Sequence, residues 1–229
     1  MNAYFDNVKK PVTDKILQDL YLDANKTAVI TIDMYNGHLS EDPDCPCPAL
    51  RGREIIEPIN NFTAACRELE VPVIHVRSTL RKDGSDDIKG NISAWRLVFP
   101  MTVGPIPGIE QHALEGSKWT EFAVDVRDSD YIVNGKKRLS AFYPTDLELL
   151  LRNLHKETIV LLGAMTDCCV LNTAFDGANR DFRIVLPQDL TRGSEHLEEA
   201  ACRIVSLHLG LVVDSSELLE EWRNQKSKR

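Results

Sequence analysis

Apolar residues alternate along this chain between short unbroken runs and runs spaced three or four apart. The first unbroken run, 27–33, is Thr-Ala-Val-Ile-Thr-Ile-Asp, which predicts a strand buried on both faces and ending in a carboxylate. Residues 54–70 then place Ile55, Ile56, Ile59, Phe62 and Cys66 at helical steps, and 71–76 is a second strand. After a long interval, 131–133 reads as a short strand and 145–154 as a helix with Thr145 as its N-cap. From there the units alternate: strand 158–163 and helix 169–180, strand 183–187 and helix 195–208, strand 210–213 and helix 215–224. Strands alternating with helices predict a parallel sheet covered on both faces, an α/β doubly wound three-layer sandwich.

Two stretches break the alternation. Residues 35–51 are turn-rich and hold three prolines, which places them over the C-terminal end of the first strand. Residues 78–120 have little periodicity and many Gly, Pro and Asp; so long a connection reads as a lid or contact segment, with Trp95 and Phe99 as apolar anchors. Residues 1–26 read as an N-terminal arm with a short helix at 14–22, ahead of a single domain over 27–225, and the tail with its Lys and Arg residues is expected to fray.

Length and charge narrow the picture. At 229 residues the chain can bury a sizeable core, and its formal net charge of −8 comes without a basic cluster. Nucleic acid and anionic membrane are therefore not the expected partners. No apolar run approaches the ~20 residues needed to span a bilayer, and the first residues lack a signal-peptide core, so the expectation is cytoplasmic. The six cysteines are then expected to be free thiols. Cys45 and Cys47 read as loop residues, because the second ligand pair of a zinc site is missing, and Cys66 and Cys202 as small core residues.

The candidate chemistry lies at strand ends. In doubly wound sheets, ligands bind outside the carboxyl ends of the strands, where Asp33 and Cys169 both fall. Cys169 also sits at a strand-to-helix junction, where unpaired N–H groups and the helix dipole favour a thiolate.

Three segments together, the strand-end Asp33, Lys-x-x-x-Ser-Ala-Phe at 136–142 and Gly-x-x-Thr-x-x-Cys-Val-x-x-Thr-Ala at 163–174, resemble the isochorismatase-like cysteine hydrolase superfamily. That superfamily includes nicotinamidases and the hydrolases of N-carbamoylsarcosine, ureidoacrylate and biuret. The resemblance implies a six-stranded parallel sheet of order 3-2-1-4-5-6 and a homodimer or homotetramer. It implies catalysis by Cys169 as nucleophile, Asp33 as base and Lys136 as the cation beside both. It also implies a cis peptide at Ala164–Met165, with the backbone N–H groups of Met165 and Cys169 as oxyanion hole.

By the same resemblance the nucleophile precedes an apolar residue and lies six positions after the glycine. That selects Cys169, which precedes Val170, and leaves Cys168 as a packed bystander or a second reactive thiol. The spacing likewise selects Lys136, leaving Lys137 in solvent. The implied activity is cleavage of a C–N bond in a small amide, carbamoyl or ureido compound through a thioester. The alternatives are a nicotinamidase-type deamidase and a silent oligomeric binding scaffold.

Relatives that hydrolyse isochorismate resemble the hydrolases with Gly at the position of Cys169, so the cysteine argues against that reaction. Metal-binding nicotinamidases carry an Asp-x-His cluster; only His38 and His75 stand in the corresponding region here, so no metal or other cofactor is expected. Tyr35 departs from the usual Asp-x-Gln. Arg192 reads either as a fork for a substrate carboxylate or as a surface arginine. His38, Trp95 and Asn172 are further pocket candidates, whereas His112, His155, His196 and His208 look like surface or cap residues.

Overall fold

The computed structural model describes residues 1–20, 22–89 and 91–227. Tyr21, Gly90, Lys228 and Arg229 lie outside it, and with them part of the expected 14–22 helix and the end of the tail. The described strands are β1 (Asn2–Phe5), β2 (Val8–Pro11), β3 (Thr27–Ile32), β4 (Val73–Ser78), β5 (Tyr131–Lys136), β6 (Thr158–Ala164), β7 (Arg183–Pro187), β8 (Thr191–Arg192) and β9 (Gly210–Val213). The helices are α1 (Asp14–Asp19), α2 (Asn36–Leu39), α3 (Ile56–Glu68), α4 (Ala94–Val103), α5 (Leu147–Asn153), α6 (Leu171–Ala178), α7 (Glu198–Ile204) and α8 (Ser215–Ser227).

The strands run β2-β1-β9-β7-β6-β3-β4-β5, and β8 pairs with the end of β6. Numbering the six long parallel strands from β3 onward gives 3-2-1-4-5-6, the order the resemblance implied. The sheet is larger than six strands. Residues 2–11, expected as an arm, form an antiparallel hairpin appended beyond β9. Its two-residue loop, Asp6-Asn7, has both φ values positive (50° and 63°), the geometry that Asp and Asn tolerate in tight hairpins.

Period-two alternation explains the three layers. Val29, Val160, Leu162 and Val185 pack with Ile59 and Phe62 of α3 and Leu218 and Trp222 of α8. Ile30, Ile159, Leu161 and Ile184 point the other way, toward Leu147 and Leu151 of α5, Ala174 of α6 and Cys202 of α7. Each fully buried Ile or Leu contributes about 1.5–3 kcal/mol, so two filled faces outweigh the lack of a wet side on the central strands. Cys66 and Cys202 lie in these layers as expected.

The connections differ more from expectation. Residues 78–120 contain α4, an apolar helix with Pro100 inside it; the proline and the nearly unbroken apolar run hide any helical period. The 145–154 helix begins at Leu147 with Asp146 at its cap position, one residue after the expected Thr145, whose Oγ1 accepts from the Leu147 N–H at 3.2 Å. Among the described residues no helix is long and apolar enough to cross a membrane.

Candidate active site

β3 and β6 are neighbours because Gly163 allows it. A Cβ at that position would meet the Ile32 carbonyl oxygen, and its φ of +112° is one that L side chains rarely adopt. Ile32 pairs with Gly163, which sets Asp33 beside the turn that follows β6. Asp33 itself has φ +55°, and it is 1% exposed. Beyond Gly163 the Ala164–Met165 peptide is cis, where the resemblance implied it.

A wide helical turn over Thr166–Val170 carries both cysteines into α6. It is held from two sides. Thr173 donates to the Cys169 carbonyl at 2.7 Å and accepts from the Ala141 N–H at 3.0 Å, tying the Ser-Ala-Phe segment after Lys136 to the Cys169 turn. On the other flank, Ser194 donates its N–H and its hydroxyl to Asp167 at 2.8 and 2.9 Å. The sequence spacings read as a pattern are thus hydrogen bonds between segments.

These constraints bring Asp33, Lys136 and Cys169 together. Lys136 Nζ donates to Asp33 Oδ2 at 2.6 Å, Ser78 Oγ at 3.3 Å and Cys169 Sγ at 3.4 Å. Asp33 Oδ1 is buried with no hydrogen-bond partner. Burial alone would depress the Lys136 ammonium, but Asp33 and Cys169 outweigh it and raise it above the ordinary lysine range. The Cys169 thiol is pushed well above the usual cysteine value, first by its hydrogen bond with Cys168 and then by burial, against the pull of Lys136. The pull of the helix start and of Lys136 toward a thiolate at Cys169 is thus opposed by the Cys168 contact and by partial burial.

A cavity of about 410 Å³ opens on this trio. Cys168 lines it as well, beside Cys169. Trp95 and Phe99 of α4 form an aromatic wall. Lys137 is not left in solvent; it pairs with Asp86 at 2.8 Å and also lines the cavity. Arg192 and Asn172 are not on its wall. The Arg192 guanidinium is taken by Glu54 at 3.1 Å and by the Gln188 and Thr191 carbonyls, while Asn172 faces a neighbouring recess that shares Trp95.

A second polar cluster was reached only in part by sequence reasoning: His38, a pocket candidate, does line the cavity, but its partners were not foreseen. His112, expected at the surface, is 6% exposed and lines the cavity with His38 and Cys47. Tyr35, fully buried, has its hydroxyl 3.1 Å from His38 Nε2 and 2.8 Å from His112 Nε2. His38 Nδ1 lies 2.8 Å from the Cys47 carbonyl. Burial lowers both histidines below the ordinary imidazole value, so both are neutral. Burial also raises the Cys47 thiol, to about 12. His155, His196 and His208 are exposed as expected, and His75 is buried between Thr31 and Asp130. Among the described residues no group of three or more His, Cys, Asp or Glu side chains is placed to hold a metal.

The Isochorismatase domain family matches residues 27–217 of this chain. The chain is 26% identical over 167 residues to the N-carbamoylsarcosine amidase of an Arthrobacter species, covering 72% of this chain and 59% of that protein's length. It is 26% identical over 211 residues to the ureidoacrylate amidohydrolase of Methylorubrum extorquens, covering 86% and 83% of the two. The solved cysteine hydrolase from Pseudomonas syringae has the same fold, with a TM-score of 0.76 at 23% identity over 88% of this chain and 94% of that one.

Proposed function

We propose that this chain, which belongs to the isochorismatase family, is a metal-independent cysteine amidohydrolase acting on a small amide, carbamoyl or ureido compound. The reading rests on one observation: Lys136 Nζ bridges Asp33 and Cys169, at 2.6 and 3.4 Å, on the wall of a cavity of substrate size. Both relatives compared above by sequence are amide-cleaving enzymes by name, which supports the same class.

A thiol that rests protonated needs a base at the moment of attack. Asp33 Oδ1, buried and unpartnered, takes the Cys169 proton while the sulfur bonds to the substrate carbonyl carbon. The carbonyl π pair moves to oxygen, where the N–H groups of Met165 and Cys169 stabilise it. On collapse the C–N bond breaks, and Asp33 returns the proton to the departing nitrogen. Water then adds to the thioester, giving its proton to Asp33; the C–S bond breaks and the proton returns to sulfur. Throughout, Lys136 offsets whichever neighbour is anionic.

The test is ammonia release from a panel of nicotinamide, ureido acids, carbamoyl amino acids, biuret and maleamate, with rapid acid quench and mass spectrometry of the protein. Turnover with an acyl adduct on Cys169 is expected. Turnover with no adduct, or with the adduct on Cys168, overturns the mechanism; no reactive thiol and no turnover leaves the binding scaffold.

A further inference from the structure

The Tyr35, His38 and His112 cluster has a definite arrangement of protons. His38 Nδ1 faces a carbonyl, that of Cys47, which only accepts, so Nδ1 carries the hydrogen and Nε2 presents a lone pair. His112 Nε2 lies 3.2 Å from that lone pair and 2.8 Å from the Tyr35 oxygen. Were His112 Nε2 also unprotonated, two lone pairs would oppose each other with one tyrosine proton between them. The arrangement that pairs the Tyr35 oxygen and both Nε2 atoms has His112 Nε2–H donating to Tyr35 and the Tyr35 hydroxyl donating to His38. It leaves His112 Nδ1 as a bare acceptor, and that atom is buried with no hydrogen-bond partner. The ring is held in place by an edge-on contact with Trp95, at 5.2 Å between centroids, and both residues line the cavity.

We infer that His112 Nδ1 is a specificity-determining acceptor, and that the substrate is an amide carrying an N–H or O–H donor beyond its scissile carbonyl. This deepens the amidohydrolase reading and rests on it. An unsatisfied buried acceptor discriminates strongly, because a ligand without the donor leaves it unpaired and a ligand offering a second lone pair is repelled. Carbamoyl and ureido compounds, whose second nitrogen bears hydrogen, meet the requirement. A pyridine or pyrazine ring nitrogen presents a lone pair and does not.

The probes are pyrrole-2-carboxamide and furan-2-carboxamide, primary amides on flat rings of one size that differ in a ring N–H donor against a ring oxygen acceptor. Their preference is read as the ratio of kcat/KM in the wild-type chain and as the ratio of Kd in Cys169→Ala. The pyrrole amide is expected to win by about tenfold or more. In His112→Phe the ratio falls to near one. In Tyr35→Phe, which keeps the imidazole but frees its tautomer, it falls severalfold; this variant and the wild-type ratio serve if His112→Phe does not fold. A wild-type ratio near one, a ratio untouched by His112→Phe, or ¹⁵N shifts placing the proton on Nδ1 overturns the inference. A retained Kd ratio with no turnover of either amide strikes the amidohydrolase reading alone.

Discussion

The cavity has two polar poles that the fold assembles in opposite ways. Asp33, Lys136 and Cys169 come from strand ends, are charged or readily made so, and are fixed by the register of β3 against β6. Tyr35, His38 and His112 come from irregular connections, are neutral, and are fixed by hydrogen bonds among themselves and to a loop carbonyl. Reaction chemistry needs groups that exchange a proton and hold a charge, and the ends of parallel strands supply a rigid frame for them. Selectivity needs shape and hydrogen bonding, which loops supply and can vary without disturbing the sheet.

The largest expected effect falls on the charged pole. Cys169→Ala should lower hydrolysis by ~3 orders of magnitude or more, as loss of a nucleophile does, with the circular dichroism spectrum unchanged. Cys168→Ala should retain most turnover; the reverse pattern would move the nucleophile by one position. Next is Lys136→Ala, which strips a buried carboxylate of its partner and should cost about 3–5 kcal/mol in denaturant unfolding. It should also shift the onset of Cys169 alkylation by iodoacetamide to higher pH, because the raised thiol pKa keeps the thiolate scarce until pH climbs toward it and Lys136 is what holds it down. Coincident profiles for wild type and Lys136→Ala would remove the lysine from that role.

A third cluster, Asp130 with Arg67 and His75, sharpens the contrast by having buried charge and no cavity. Asp130 is held by Arg67 at 2.7 Å and His75 at 3.1 Å on the outer side of β4. Burial alone would raise its carboxyl, but Arg67, the Arg127 N–H and His75 outweigh it and hold it below the ordinary range. Its stabilisation is therefore complete above the unfolded-state value near ~4 and is lost as pH falls through the lower folded value. Asp130→Asn should cost about 1.5–3 kcal/mol at neutral pH, a deficit that shrinks in acid, with turnover per folded molecule intact. Smallest is Lys137→Ala: a partly exposed ion pair with Asp86 is worth about 0–1 kcal/mol, and the alkylation profile should not move. Chelators should likewise leave turnover where it was.

The charged pole was legible and the neutral one only through His38, for a physical reason. Strand ends announce themselves through apolar runs, so Asp33 and Cys169 could be placed at the same end of one sheet before any coordinates. His112 lies in 78–120, where position is set by contacts with Tyr35, Trp95 and His38 that no local period encodes. Its identity gave no signal; Tyr35, a residue out of pattern beside Asp33, was the available hint. Arg192 failed differently. The sequence left two readings open, a fork for a substrate carboxylate or a surface arginine, and only the approach of Glu54, a residue far away in sequence, decides against the first. Lys137 shows the same limit, since the spacing that set it aside for solvent carried no sign of Asp86 or of the cavity wall.

The N-terminal hairpin does more than enlarge the sheet. Without it, β9 would end the sheet with a row of unpaired backbone groups and the apolar run Leu211, Val212, Val213, a template on which another chain could add a strand. With it, the outermost strand is Val8-Lys9-Lys10-Pro11, exposed along its whole length. Lys9 is paired with Asp214 and Glu217, but Lys10 leaves a charge on the edge and the proline lacks a donor, two features that disfavour growth of the sheet. The first eleven residues are thus a guard against aggregation, built from the least structured-looking part of the sequence.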